Sequence, residues 1–367
     1  MKFTVQIIPA AVLAALACSG AQAQNVSFYG LIDTAVERVY NVGASGGVQT
    51  RMPSITGTLP SRLGFRGTED LGAGLRATFT LEQGFAPNDG TMGQGGRIFG
   101  RQAHVGLAGS WGAVTLGRQY TMLFWSLLDT DVLGPSVYGL GSLDSYIPNA
   151  RVDSSIAYRG TFSGLTVGAT YSLGRDAVNA GPSPAGTNCP GQSSTDASAC
   201  REWSALLKFD QPSWGAAFAA DEFHGGTGAF AGLTSSAKTD RRVVLNGYYK
   251  TGDLKLAGGV INRKNDGSAT TPKSQMLYVG ATYQATPVLA LDAEYARLKF
   301  SDSANKAALL ALRGTYSLSK RTAVYAMVGQ IGNDGTLALS VSSGAPGSNP
   351  VAGASQHAVA VGVRHSF

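Results

Sequence analysis

A chain of 367 residues with 49 glycines, 14 tyrosines, 14 phenylalanines and only 14% charged residues carries a formal net charge of +6. The basic residues are spread singly, with no Lys/Arg-rich patch, which excludes a nucleic-acid footprint. Low charge, abundant glycine and evenly spaced aromatics fit many strands joined by turns. Two ordinary soluble domains remain the competing reading of the length.

Residues 1–23 read as a secretory leader. Lys2 is the positive start, 7–17 the apolar stretch, and Ala21-Gln22-Ala23 a small-x-small cleavage site. Cys18 leaves a lipoprotein alternative. Cleavage removes only Lys2 among the charged residues, taking the balance from +6 to +5 and leaving one expected domain, 24–367. No later run is long and apolar enough for a transmembrane helix.

Strand-like segments then follow at a steady pitch: 26–40, 59–69, 75–85, 97–107, 113–120, 151–158, 165–173 and 202–210, then 214–223, 242–251, 254–262, 276–285, 289–300, 307–316, 322–331 and 355–367. Sixteen is an even number, as closure of an antiparallel barrel with both ends on one side requires. Leu75, Ala77, Phe79 and Leu81 share a face opposite Arg76, Thr78, Thr80 and Glu82; in 202–210 the same alternation holds except that Leu206 interrupts the polar face. The final segment places Val359, Val361, Val363, His365 and Phe367 on one face and small or polar residues on the other. A charge on a lipid face near midplane costs roughly 2–4 kcal/mol, so in a barrel the charged face looks inward. A soluble sandwich has the same period; the leader and the terminal strand favour the barrel. Connections alternate between short (such as 109–112, 251–253) and long (41–58, 86–96, 121–150, 174–201, 225–241, 263–275, 332–354), the habit of outer-membrane barrels.

The connection 121–150 is rich in buried-type side chains (Phe124, Trp125, Leu127, Leu128) before Asp129, Asp131 and Asp144. Folding back into the barrel resolves this, with a sticky extracellular loop or subunit contact as the alternative. Cys189 and Cys200 lie in a Gly/Ser/Pro-rich loop of an exported chain, and a disulfide is expected; a metal site lacks neighbouring ligands. Enzymatic readings find little. Gly43-Ala44-Ser45-Gly46-Gly47 fits G-x-S-x-G without a strand–turn–helix context, and His104, His224, His357 and His365 are dispersed. No cofactor is implied.

The segments SRLGFRGTEDLG (61–72), GRQAHVGLAGSWGAVTLGRQY (100–120), LSKRT (318–322) and the closing GVRHSF are similar to the general porins of Gram-negative bacteria, most of all the beta-proteobacterial branch. The resemblance implies an all-β, 16-stranded antiparallel transmembrane β-barrel whose third long loop folds inward to make a constriction. It also implies a homotrimer among outer-membrane lipid and lipopolysaccharide that passes small hydrophilic solutes and ions. It places Arg62, Arg101 and Arg151 on the constriction wall, with Asp131 and its neighbour Asp129 as the loop acids. Alternation sends Arg62 and Arg66 inward together, and Arg151 inward with Asp153. For Arg101 it is ambiguous, because Ala103, Val105 and Leu107 share its face; the fourth strand could then face another subunit. Arginines facing loop acids across a wet gap favour anions; alternatively some of them pair with wall acids such as Glu82 or Glu37. A substrate-selective channel and a surface adhesin or receptor are the competing functions.

Overall fold

In a computed structural model the described residues are 25–53, 57–176, 187–343 and 347–367, so the leader expected at 1–23 lies outside them. Strands dominate: β1 (Asn25–Val42), β2 (Gly47–Arg51), β3 (Arg62–Gly72), β4 (Leu75–Gly84), β5 (Gln102–Gly109), β6 (Gly112–Tyr120), β7 (Arg151–Phe162), β8 (Leu165–Gly174) and β9 (Glu202–Asp210) come first. Then follow β10 (Trp214–His224), β11 (Thr239–Thr251), β12 (Leu254–Asn265), β13 (Lys273–Thr286), β14 (Leu289–Phe300), β15 (Lys306–Ser317), β16 (Thr322–Asp334) and β17 (Gln356–Ser366). From β3 to β17 each strand pairs antiparallel with the next, and β1 pairs with both β17 and β3. The sheet is therefore a closed barrel of sixteen wall strands. The five-residue β2 adds a flap that extends the upper half of β1, pairing Arg38 with Thr50.

Closure has a specific seam. Val36 lies opposite Val361 and Leu31 opposite Ser366, and Phe367 exchanges two backbone hydrogen bonds with Gly30 (3.0 and 3.1 Å). A side chain at Gly30 would meet the Phe367 ring at 2.2 Å, so glycine there is what lets the last ring lie flat against β1. The turn between β7 and β8 is Ser163-Gly164 with both φ positive (49° and 89°), the twist that suits a two-residue hairpin.

All sixteen expected segments are wall strands. Two begin three or more residues later than expected: β3 at Arg62 rather than 59, and β5 at Gln102 rather than 97. The second difference corrects the reading of Arg101. It precedes β5 in a bend, outside the alternation, while Val105 and Leu107 of β5 are exposed on the outer face and Gln102 and His104 line an inner hollow. The fourth wall strand is thus an ordinary apolar-out strand, and the ambiguity at Arg101 comes from its place outside the strand rather than from a subunit contact. Leu206, the interruption in 202–210, points inward where it is covered by the segment 121–150, so its apolar character answers to an internal contact.

The outer surface carries the large apolar side chains, among them Leu245, Leu277, Val279, Tyr295, Leu310 and Val361. In lipid every backbone donor and acceptor must be satisfied internally, and a closed ladder does this. A charge placed mid-band, Val279→Arg, is expected to destabilise the folded barrel by about 2–4 kcal/mol in urea titrations in lipid vesicles. An unchanged midpoint would show that this face is not in lipid.

Candidate functional site: the lumen and its internal segment

Segment 121–150 leaves the wall at β6 and re-enters at β7, its root pinched by a hydrogen bond from the Thr121 N–H to the Ala150 carbonyl (3.0 Å). It opens with a short helix, α1 (Met122–Leu127), whose Met122, Leu123 and Leu127 are buried. Its contacts then run around the inner wall. The Met122 N–H donates to Ser204 Oγ (2.9 Å) on β9, and Asn246 Nδ2 of β11 donates to the Ser126 carbonyl (3.0 Å). Thr130 Oγ1 meets the Tyr278 hydroxyl on β13 (2.8 Å), and Arg313 of β15 donates to the carbonyls of Val132 and Leu133 (both 3.0 Å). Tyr138 donates to Glu37 of β1 (3.2 Å). These partners sit on inward positions of strands far apart in the wall, so the segment lies inside the barrel and narrows it.

Ion pairs hold its second half. Arg242 of β11 grips Asp144 through Nε (2.8 Å) and also faces Asp240 (3.3 Å), which Arg263 reaches at 2.6 Å. Burial alone would raise the Asp144 carboxyl, but Arg242 and then Arg263 outweigh it and hold it at about 2. The Tyr146 hydroxyl lies 2.5 Å from Asp221 and 3.1 Å from Glu202, and burial beside those two acids pushes it well up.

The opposite wall is basic. Arg101 donates to Glu82 (2.8 Å) and to the Tyr120 hydroxyl (2.6 Å); Arg151 donates to the same hydroxyl (2.6 Å) and lies 4.3 Å from the ring centroid. Arg62 is 3.5 Å from Glu82 and donates to the Pro60 carbonyl. Arg66 lies over the Tyr29 ring (5.2 Å) and Arg159 over Trp125 (3.7 Å); both line one hollow with Gln102, His104 and Gln119. Among the described residues no ion pair is recorded for Arg66, Arg151 or Arg159. Of these five guanidinium groups only Arg62 and Arg101 reach a carboxylate, and they share the same one, Glu82. The structure brings the four expected arginines to one side and adds Arg159 and Tyr120. Arg159 was within reach of the alternation, eight residues after Arg151 on the same face; nothing in the sequence marked Tyr120 as the group that joins two arginines.

The loop acids are placed differently from each other. Asp129 is held by Lys208 of β9 (2.5 Å), which also binds Asp210 (3.0 Å). Asp131 accepts the Gly134 N–H (2.7 Å) and lines a hollow with Leu59, Phe124, Leu128 and Pro135. Burial pushes its carboxyl up, against the pull of the Gly134 N–H and Arg313. Higher in the loops, Cys189 and Cys200 form a disulfide with their Cα atoms 5.3 Å apart, and Arg97 pairs with Asp176. Arg118 likewise pairs with Asp153.

A closed barrel with an apolar exterior, a charged bore and an internal segment that narrows it defines an outer-membrane channel. The chain belongs to the Gram-negative porin family, which it matches over residues 10–336. It is 30% identical to outer membrane porin protein 32 of Delftia acidovorans over 374 aligned positions, covering 97% of this chain and 98% of that one. It is 35% identical to an outer membrane porin protein of Bordetella pertussis over 193 positions, 47% of this chain and only about half (50%) of that relative. Among solved structures it is similar to an anion-selective porin from Comamonas acidovorans, with a TM-score of 0.76, 25% identity, and coverage of 94% of this chain and 100% of that one. It also shares its fold with OmpT of Vibrio cholerae (TM-score 0.67, 16% identity, 95% and 99% covered).

The pairing at Arg242 sets a pH and mutational test. Because the folded pKa of Asp144 lies below its usual value, its contribution is full above about pH 4 and is lost as pH falls through about 2. Arg242→Met leaves Asp144 buried without its paired base, which costs about 3–5 kcal/mol of docking. The expected result is protease cleavage within 121–150 in the variant at neutral pH, where wild type is resistant. Equal resistance would mean the ion pair does not hold the segment.

Proposed function

We propose that the barrel passes small hydrophilic solutes by passive diffusion with a preference for anions. The observation that carries this reading is the wall of five arginines (Arg62, Arg66, Arg101, Arg151, Arg159), whose one ion-pair partner among the described residues is Glu82. Across the gap, Asp129 shares Lys208 with Asp210, and Asp131 is turned to the Gly134 N–H and the Glu294 carboxyl. A unit charge at about 10 Å in water biases an ion by roughly 0.4 kcal/mol, near a twofold effect, and several such charges multiply. Weak, multiple attractions draw anions in and still release them, as conduction requires. The resemblance to a solved anion-selective porin supports the same sign.

The chain acts as a conduit, with no turnover chemistry assigned to it. We further propose that residues 1–23 are removed on export and that the barrels work as a homotrimer in the outer membrane. Exposed Val26, Phe28, Phe65 and Phe367 cluster on the outside near the seam and offer an apolar contact for a second copy. Mass measurement in detergent reads the assembly directly.

Reversal potentials in a salt gradient test the selectivity. Wild type is expected to prefer chloride, and Arg66→Glu with Arg159→Glu to shift the chloride-to-potassium permeability ratio toward cations by on the order of tenfold. Cation preference in the wild type would end the reading.

A further inference from the structure

Two of the bore's arginines stand apart from the constriction. Arg66 lies four residues further along β3 than Arg62, and Arg159 eight further along β7 than Arg151, both toward the short turns. They line one hollow of about 290 Å³ beside helix α1, which contributes Met122 and Trp125. That volume is at the small end of ligand pockets and takes one small molecule.

The lining has two halves of different chemistry. One is cationic and polar: the two guanidinium groups, with Thr80 and Gln102 beside them. Among the described residues that line the hollow none is acidic. Glu82, which the Tyr29 hydroxyl reaches at 3.0 Å, is already shared by Arg62 and Arg101. The other half is apolar, made by Met122, Ala157 and the Trp125 indole. Tyr120 and Phe124 meet that indole edge to face (6.1 and 6.0 Å), so the ring is fixed before any solute arrives.

A hydrated inorganic anion would use only the first half. A solute with a carboxylate at one end and a flat apolar body at the other uses both. Its carboxylate accepts from the guanidinium forks, and its ring packs against the indole and the Met122 thioether. We infer that this hollow is a transient subsite for small aromatic carboxylates crossing the bore. An aliphatic dicarboxylate would meet the cations but leave the ring and thioether without a partner. The inference rests on the anion preference proposed above and names a solute class that it serves.

The test measures chloride current through the full-length porin in planar bilayers during titration with sodium benzoate, acetate, succinate or benzyl alcohol. Benzoate is expected to reduce the current saturably, at concentrations on the order of tenfold below any of the other three. Trp125→Ala should weaken the benzoate effect on the order of tenfold, while Trp125→Phe retains it, which separates loss of the ring from loss of the fold. Acetate or succinate as effective as benzoate would show that the ring is not recognised. Benzyl alcohol as effective would show that the charge is not, and an unchanged Trp125→Ala would remove the indole; each overturns the inference. Reversal potentials of the same preparations read the anion preference separately, so chloride preference without a benzoate effect defeats this subsite alone.

Discussion

Everything in this molecule depends on the hydrogen-bonded closure of its sheet. A strand edge left open in hydrocarbon exposes a row of donors and acceptors that nothing can satisfy, so a spanning sheet must come back to its own beginning. Here β1 takes β17 along one edge and β3 along the other, and the backbone of Phe367 pairs with that of Gly30. Once the ring is closed, side-chain direction is binary. Each residue faces either lipid or the interior, and its polarity follows.

The interior is a second, different environment. It holds water and charge, and most of that charge is spent on structure. Arg242 with Asp144 and Asp240, Arg313 with Asp292, and Arg51 with Glu37 fasten the internal segment and the loops to the wall. Such buried pairs confer little net stability over apolar packing, but they make one arrangement of a long loop far better than its alternatives. On the β3–β7 side Arg66, Arg151 and Arg159 form no ion pair among the described residues and meet aromatic rings instead.

Function therefore resides in an imbalance rather than in an assembled reactive group. Glu82 is shared by Arg62 and Arg101, the Tyr120 hydroxyl takes Arg101 and Arg151, and Arg66 and Arg159 rest on aromatic rings. Ring faces and hydroxyls orient guanidinium groups without cancelling their charge.

The number of wall strands, their inner and outer faces and the short-turn, long-loop rhythm were legible in the chain because side-chain direction has a period of two and lipid enforces it strictly. The inward course of Arg62, Arg66 and Arg151 was legible for the same reason. Periodicity failed where the backbone left the strand. Arg101 stands in a bend before β5, the flap β2 hides in a Gly-rich connection, and Leu206 is apolar because a loop from elsewhere covers it. The partners of Asp129 and Asp131 were also beyond reach, since a connection's path is set by long-range pairs such as Asp144 with Arg242, 98 residues apart. Local pattern determined the wall; only the assembled interior, where distant charges meet at low dielectric, decided which of them cancel and which still face the bore.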